Sequence, residues 1–95
     1  FLTNSEIKAP SILTFPNPYI DEFFINIQGG DKKQEVLISM YDLSGVLIFN
    51  HKTNIISSSV ISSNKMLNGK NISNGIYILS IHIGVEKHNY KLIKQ

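Results

Sequence analysis

Residues 74–95, Asn-Gly-Ile-Tyr-Ile-Leu-Ser-Ile-His-Ile-Gly-Val-Glu-Lys-His-Asn-Tyr-Lys-Leu-Ile-Lys-Gln, read as a β-hairpin, and the rest of the chain has to supply it with partners. Asn74-Gly75 is a turn signal, and Ile76 to Ile83 is rich in β-branched and aromatic residues. Gly84-Val85 suits a two-residue II′ turn, because glycine stands first, where φ must be positive. Counting outward from that turn pairs Ile83 with Glu86, Ile81 with His88, Leu79 with Tyr90, Tyr77 with Leu92 and Ile76 with Ile93. One face then carries Tyr77, Leu79, Ile81, Tyr90 and Leu92. The other carries Ser80, His82, Lys87, Asn89 and Lys91, with Ile76, Ile78 and Ile93 towards the far end. A slip of one residue would destroy this sorting. A lone hairpin is marginal in water, so a larger sheet is expected.

Upstream, residues 1–14 read as a linker with a possible first strand at Ile12 to Phe15, and residues 15–95 as the domain. Phe15-Pro16-Asn17-Pro18-Tyr19 is a stiff corner, suited to carrying the chain from one sheet to another. Glu22 to Gln28 alternates, with Phe23, Ile25 and Ile27 on one side. After the polar loop Gly29-Gly30-Asp31-Lys32-Lys33, the run Gln34 to Tyr41 is apolar on both faces, which predicts a central strand. In Asp42-Leu43-Ser44-Gly45 the Asp42 carboxylate can bond the backbone two residues on, and Gly45 can take the left-handed position. Val46 to Phe49 then returns antiparallel.

Residues 50–65 carry less pattern: Val60-Ile61 between serines fits an edge strand or a loop, and Lys65-Met66-Leu67 is expected to be a further strand. No helical period is evident. About seven short strands between Gly, Asn and Pro turns predict an all-β fold, a small antiparallel β-sandwich of immunoglobulin-like shape. At 95 residues this is one domain, and 42% hydrophobic content is enough for a core.

Composition removes several functions. With no Cys there is neither a disulfide framework nor a thiolate metal site. Nine Lys, no Arg and a net charge of +2 make no basic stripe, so no nucleic acid is expected as a partner. No stretch approaches a membrane-spanning length, and Phe1, not being an initiator Met, suggests a piece of a longer protein.

His82 and His88 fall on opposite hairpin faces and His51 lies far away in sequence, so no metal site is expected. Asp21 and Glu22 are adjacent on an extended segment and point apart, wrong for a carboxylate pair. Eleven Ser include none in a nucleophile elbow, and Asp31, Glu35 and Asp42 lack calcium-loop spacing. No enzyme activity and no cofactor are expected. Tyr19, Tyr41, Tyr77 and Tyr90 offer a sugar platform only if exposed, and alternation places Tyr77 and Tyr90 in the core.

Four segments resemble, in order and spacing over residues 13–95, the type A C-terminal sorting domain of the type IX (Por) secretion system of Bacteroidetes-type bacteria. They are Phe15-Pro16-Asn17-Pro18-Tyr19, Met40-Tyr41-Asp42-Leu43-Ser44-Gly45, Asn74-Gly75-Ile76-Tyr77-Ile78-Leu79 and Tyr90-Lys91-Leu92-Ile93-Lys94-Gln95. The resemblance implies an address rather than an activity. An N-terminal cargo domain would reach the periplasm by a signal peptide, and an outer-membrane translocon would then deliver it to the cell surface or medium. In many members a cysteine-protease sortase removes the domain, which would place the cut at or upstream of residues 1–14.

By the same resemblance, the recognition residues are Pro16, Asn17, Pro18, Asp42, Gly45, Gly75, Tyr77, Lys91, Lys94 and Gln95. A last strand with unpaired backbone groups and a Lys-tipped end would suit capture by strand addition or by a carboxylate pocket. A carbohydrate-binding or adhesive sandwich and a structural spacer are the rival readings. The first needs an exposed aromatic strip or a metal-lined loop, the second a chain that continues past Gln95.

Overall fold

A computed structural model describes residues 11–28 and 33–95, so most of the loop expected at residues 29–33 and most of the expected linker lie outside the described residues. Seven strands form two antiparallel sheets. The first is β1 (Ser11–Phe15), β2 (Phe24–Gln28) and β5 (Ser58–Ser62) in the order β1-β2-β5. The second is β3 (Gln34–Asp42), β4 (Leu47–Ile55), β6 (Gly75–Ile83) and β7 (Glu86–Lys94) in the order β4-β3-β6-β7. One short helix, α1 (Ser63–Leu67), follows β5. This is the immunoglobulin-like sandwich expected from the turn spacing.

Alternation builds the core. Phe23, Ile25 and Ile27 from the first sheet meet Val36, Ile38, Met40, Leu79, Ile81 and Leu92 from the second, all inaccessible to solvent. Burying side chains of this size contributes about 1.5–3 kcal/mol each. β3 lies between β4 and β6, the central place its two apolar faces predict.

The C-terminal hairpin has the register counted from its turn, from Ile83 opposite Glu86 to Ile76 opposite Ile93. Gly84 sits at φ +60, while Val85 keeps a negative φ and points fully into solvent. Tyr77, Leu79, Ile81 and Leu92 are buried on one face and Tyr90 is half-buried there.

Three expectations change. Lys65-Met66-Leu67 is not a strand but part of α1: the Ser62 hydroxyl caps it by accepting from the Asn64 N–H at 3.1 Å, and Asn68 ends it at φ 51. Met66 plugs the core, and five residues are too few to display a helical period. Second, β2 starts at Phe24 rather than Glu22, because Phe23 is bonded to the helix start: its N–H donates to Ser63 Oγ (3.0 Å) and its carbonyl accepts from the Ser63 N–H (2.9 Å). Third, the Pro16-Pro18 corner does not transfer the chain between sheets, since β1 and β2 pair with each other. It leaves the first sheet, touches the edge of the second and returns.

Candidate functional site

All four motif segments meet at one end of the sandwich. Asp42 at the end of β3 pairs with Tyr77 near the start of β6, and Tyr77 pairs with Leu92 near the end of β7. Gly75 pairs with Lys94 in the same ladder, and residues 16–19 lie against the outer edge of β7. Segments up to 76 residues apart in sequence thus share one surface.

The corner is a strap. The Asn17 side-chain amide donates to the Lys91 carbonyl at 2.8 Å, and its oxygen accepts from the Ile93 N–H at 3.0 Å. The Tyr19 N–H donates to the Ile93 carbonyl at 2.9 Å, and the Tyr19 carbonyl accepts from the Gln95 N–H at 2.8 Å. Four edge groups of β7 are therefore satisfied within the chain. This corrects the expectation of an end with unpaired backbone groups: from the Lys91 carbonyl to the Gln95 N–H the edge is covered, so strand addition there would first have to displace the strap.

Tyr19 itself is an anchor, only 1% exposed and packed on Phe23 with ring centroids 4.9 Å apart. Its hydroxyl has no hydrogen-bond partner, and burial, with a smaller contribution from nearby Tyr77, pushes its pKa up to about 12. Tyr77 is 6% exposed, and its hydroxyl donates to the Ser73 carbonyl, fixing the turn that enters β6.

The Asp42 loop is closed on itself. Asp42 Oδ1 accepts from the Ser44 N–H and the Val46 N–H, each at 2.9 Å, and from Ser44 Oγ at 2.7 Å. The Ser44 hydroxyl and then the Val46 N–H hold the carboxyl below the usual carboxylate range. Gly45 takes φ +92, the left-handed position foreseen for it.

The ten residues carried over from the resemblance thus divide by surroundings. Tyr77 is buried, and Asp42, Asn17 and Lys94 are engaged with neighbours, Lys94 donating to Asn74 Oδ1 at 3.0 Å. Pro16, Pro18, Gly45, Lys91 and Gln95 are exposed, and Gly75 supplies backbone at the β6 entrance. Beside them a cleft of about 280 Å³ is lined by Tyr19, Asp21, Asn64, Lys70, Asn71 and Lys94, among others.

The tyrosine platform does not form: Tyr19 and Tyr77 are buried, and Tyr41 and Tyr90 are half-buried. Instead Phe15 and Phe24 stack at 5.7 Å on the outer face of the first sheet, with Leu13 and Val60 exposed beside them. The signal for this pair is the parity of β1 and β2, since Phe24 alternates with the buried Ile25. Among the described residues no group of three His, Asp or Glu comes together.

The family model described as "Secretion system C-terminal sorting domain" matches residues 13–95. Among solved structures the chain is similar in fold to dimeric latent PorU from Porphyromonas gingivalis, with a TM-score of 0.71 at 19% sequence identity. That similarity covers 90% of this chain and 9% of that one. No curated protein sequence matches it.

Proposed function

This chain belongs to the family of secretion-system C-terminal sorting domains, and from that premise we propose that it addresses an N-terminal cargo to the type IX translocon. In this reading the cargo crosses the periplasm with the domain attached and is delivered through the outer membrane to the cell surface or medium. A cysteine-protease sortase then cuts at or before residues 1–14.

The observation that supports it is the convergence of four sequence-distant motif segments on one end of the sandwich. Core packing alone requires no such gathering of exposed Pro16, Pro18, Gly45, Lys91 and Gln95. The domain's contribution is recognition, so its chemistry is that of a rigid surface held by Tyr19, Asn17 and Asp42.

The test is export of a reporter carrying a signal peptide and residues 1–95, in a translocon-competent and a translocon-deficient strain. Deleting the last six residues would remove Leu92 from the core and all four strap hydrogen bonds, confusing folding with recognition. Lys91→Glu with Gln95→Ala changes exposed groups and is the better variant. Translocon-dependent export by the parent and its loss in this folded variant support the reading. Periplasmic retention of a folded parent fusion in the competent strain would overturn it.

The rival carbohydrate-binding reading has one observation in its favour, the Phe15 and Phe24 pair on an exposed face. Retention on insoluble polysaccharide that Phe15→Ala abolishes would establish it.

A further inference from the structure

The outer edge of β7 is only partly occupied. The strap bonds the Lys91 carbonyl, both backbone groups of Ile93 and the Gln95 N–H, all on odd-numbered residues. In an antiparallel ladder inward and outward groups alternate, so the outward groups upstream belong to Lys87 and Asn89, followed by the Lys91 N–H. Among the described residues nothing pairs with this edge stretch, and Lys87, Asn89 and Lys91 are exposed.

Asn17 shows what the edge accepts. Its side-chain amide presents one N–H and one carbonyl to β7, as a peptide group of an added strand would. Tyr19 continues in the same manner through its backbone, in a parallel bridge with Lys94. One side-chain amide and the backbone of one residue are therefore already seated on one half of this edge, and the other half offers the same groups.

Charge selects the occupant. A second copy using the whole open stretch would pair two β7 strands about Asn89, setting Lys87 opposite Lys91 on both sides, and like charges directly opposed are destabilising. The Lys87 and Lys91 side chains share their outer face with Lys52, whose neighbour Glu35 it already pairs at 3.2 Å. On the other face of β7, Tyr90 is half-buried and suits an apolar neighbour.

We propose that the edge of β7 from Lys87 to Lys91 is a docking site for an extended acidic segment of another protein. The segment adds as a further strand, with carboxylates opposite the two lysines and apolar residues alternating towards Tyr90. The site rests on edge geometry and charge; it shares Lys91 with the recognition residues of the sorting reading, and its test requires no export.

The probe is the capped peptide Thr-Val-Glu-Val-Thr-Val-Glu-Val-Thr, which reads the same in both directions and so offers its carboxylates to the lysines in either strand orientation. Titrated into the chain, it should shift the backbone amide resonances of Lys87, Asn89 and Lys91 and slow hydrogen exchange at Lys87 and Asn89. Lys87→Glu combined with Lys91→Glu should weaken binding about tenfold, from two reversed cross-strand charge pairs. Asn17→Ala frees the Lys91 carbonyl and the Ile93 N–H, lengthening the open edge, and should tighten binding. Asn89→Pro removes an outward N–H without touching the ladder to β6, and should abolish binding in a chain that still unfolds cooperatively. The proposal is overturned if a peptide with Lys in place of Glu binds equally well, or if shifts appear on β4 or β5 and not on β7. Undiminished binding in the charge-reversed variant, or dimerisation of the chain through β7, would overturn it equally.

Discussion

The two sheets of this sandwich are built on different plans. The four-stranded sheet consists of nine-residue strands in two local hairpins, β3 with β4 and β6 with β7, joined through β3 and β6. The three-stranded sheet uses five-residue strands, and β2 reaches its neighbour β5 only across the whole of β3 and β4. Their outer faces differ as well. The first sheet presents Leu13, Phe15, Phe24, Asn26, Gln28 and Val60 with no charged residue among its strands' outward positions, whereas the second carries Glu35, Lys52, His82, Lys87 and Lys91. The four-stranded sheet bears most of the motif residues, and the three-stranded sheet covers its core and sends out the strap. Most of the motif residues thus lie on the charged layer, and the uncharged outer face belongs to the other.

The comparison breaks most visibly in the core. Leu79→Ala in the four-stranded sheet and Ile25→Ala in the three-stranded one each remove a fully buried side chain and should cost about 2–5 kcal/mol in chemical denaturation. If the layers form one cooperative unit, both variants unfold in a single transition. A separate early transition for Ile25→Ala alone would show that the short-stranded sheet opens by itself.

Next in size is alkaline unfolding through Tyr19. Its folded pKa of about 12 lies above the ordinary tyrosine value of 10.0, so the stabilisation is complete below pH 10 and is lost as pH rises towards 12. The loss is on the order of 2 kcal/mol. Tyr19→Phe should remove that component from a thermal-melt series against pH. The same variant deletes a buried hydroxyl without a partner, so it should be neutral or stabilising at pH 7.

Asn17→Ala deletes two hydrogen bonds between the layers and should cost about 1–2 kcal/mol, with faster amide exchange at Ile93. Gly45→Val, at φ +92, should cost about 1–2 kcal/mol and disturb only the turn between β3 and β4. The smallest effect is acidic: with its pKa lowered, Asp42 lends stability above the ordinary carboxylate range that is lost as pH falls through it. Asp42→Asn should flatten that part of the pH profile.

The same division explains what was legible in the sequence. The hairpin of β6 and β7 was readable residue by residue, because Gly84 fixed the turn and alternation then fixed every pair. The Asp42 loop was readable for the same reason: its bonds span only two to four residues. β5 and α1 were not, since the serines of residues 57–63 carry no period and Ser63 gains its meaning from Phe23, forty residues away. The strap was visible as a corner but not as an edge cover, because its partners lie 74 and 76 residues downstream and nothing local distinguishes them. The Phe15 and Phe24 pair is hidden in a different way: each ring takes an outward position on its own strand, and only the pairing of β1 with β2 brings the two together.

That separation between Asn17 and its partners also sets a clock. Lys91, Ile93 and Gln95 are the last of these residues to leave a ribosome, which adds about 5–20 residues per second. Until they emerge, Tyr19 has no strand to lie against and Leu79 no covering neighbour in β7, so the strap and the last ladder can form only after several seconds of synthesis. Sheets dominated by such distant pairings also fold slowly once complete. The tie between the two sheets is thus among the last contacts this domain can make.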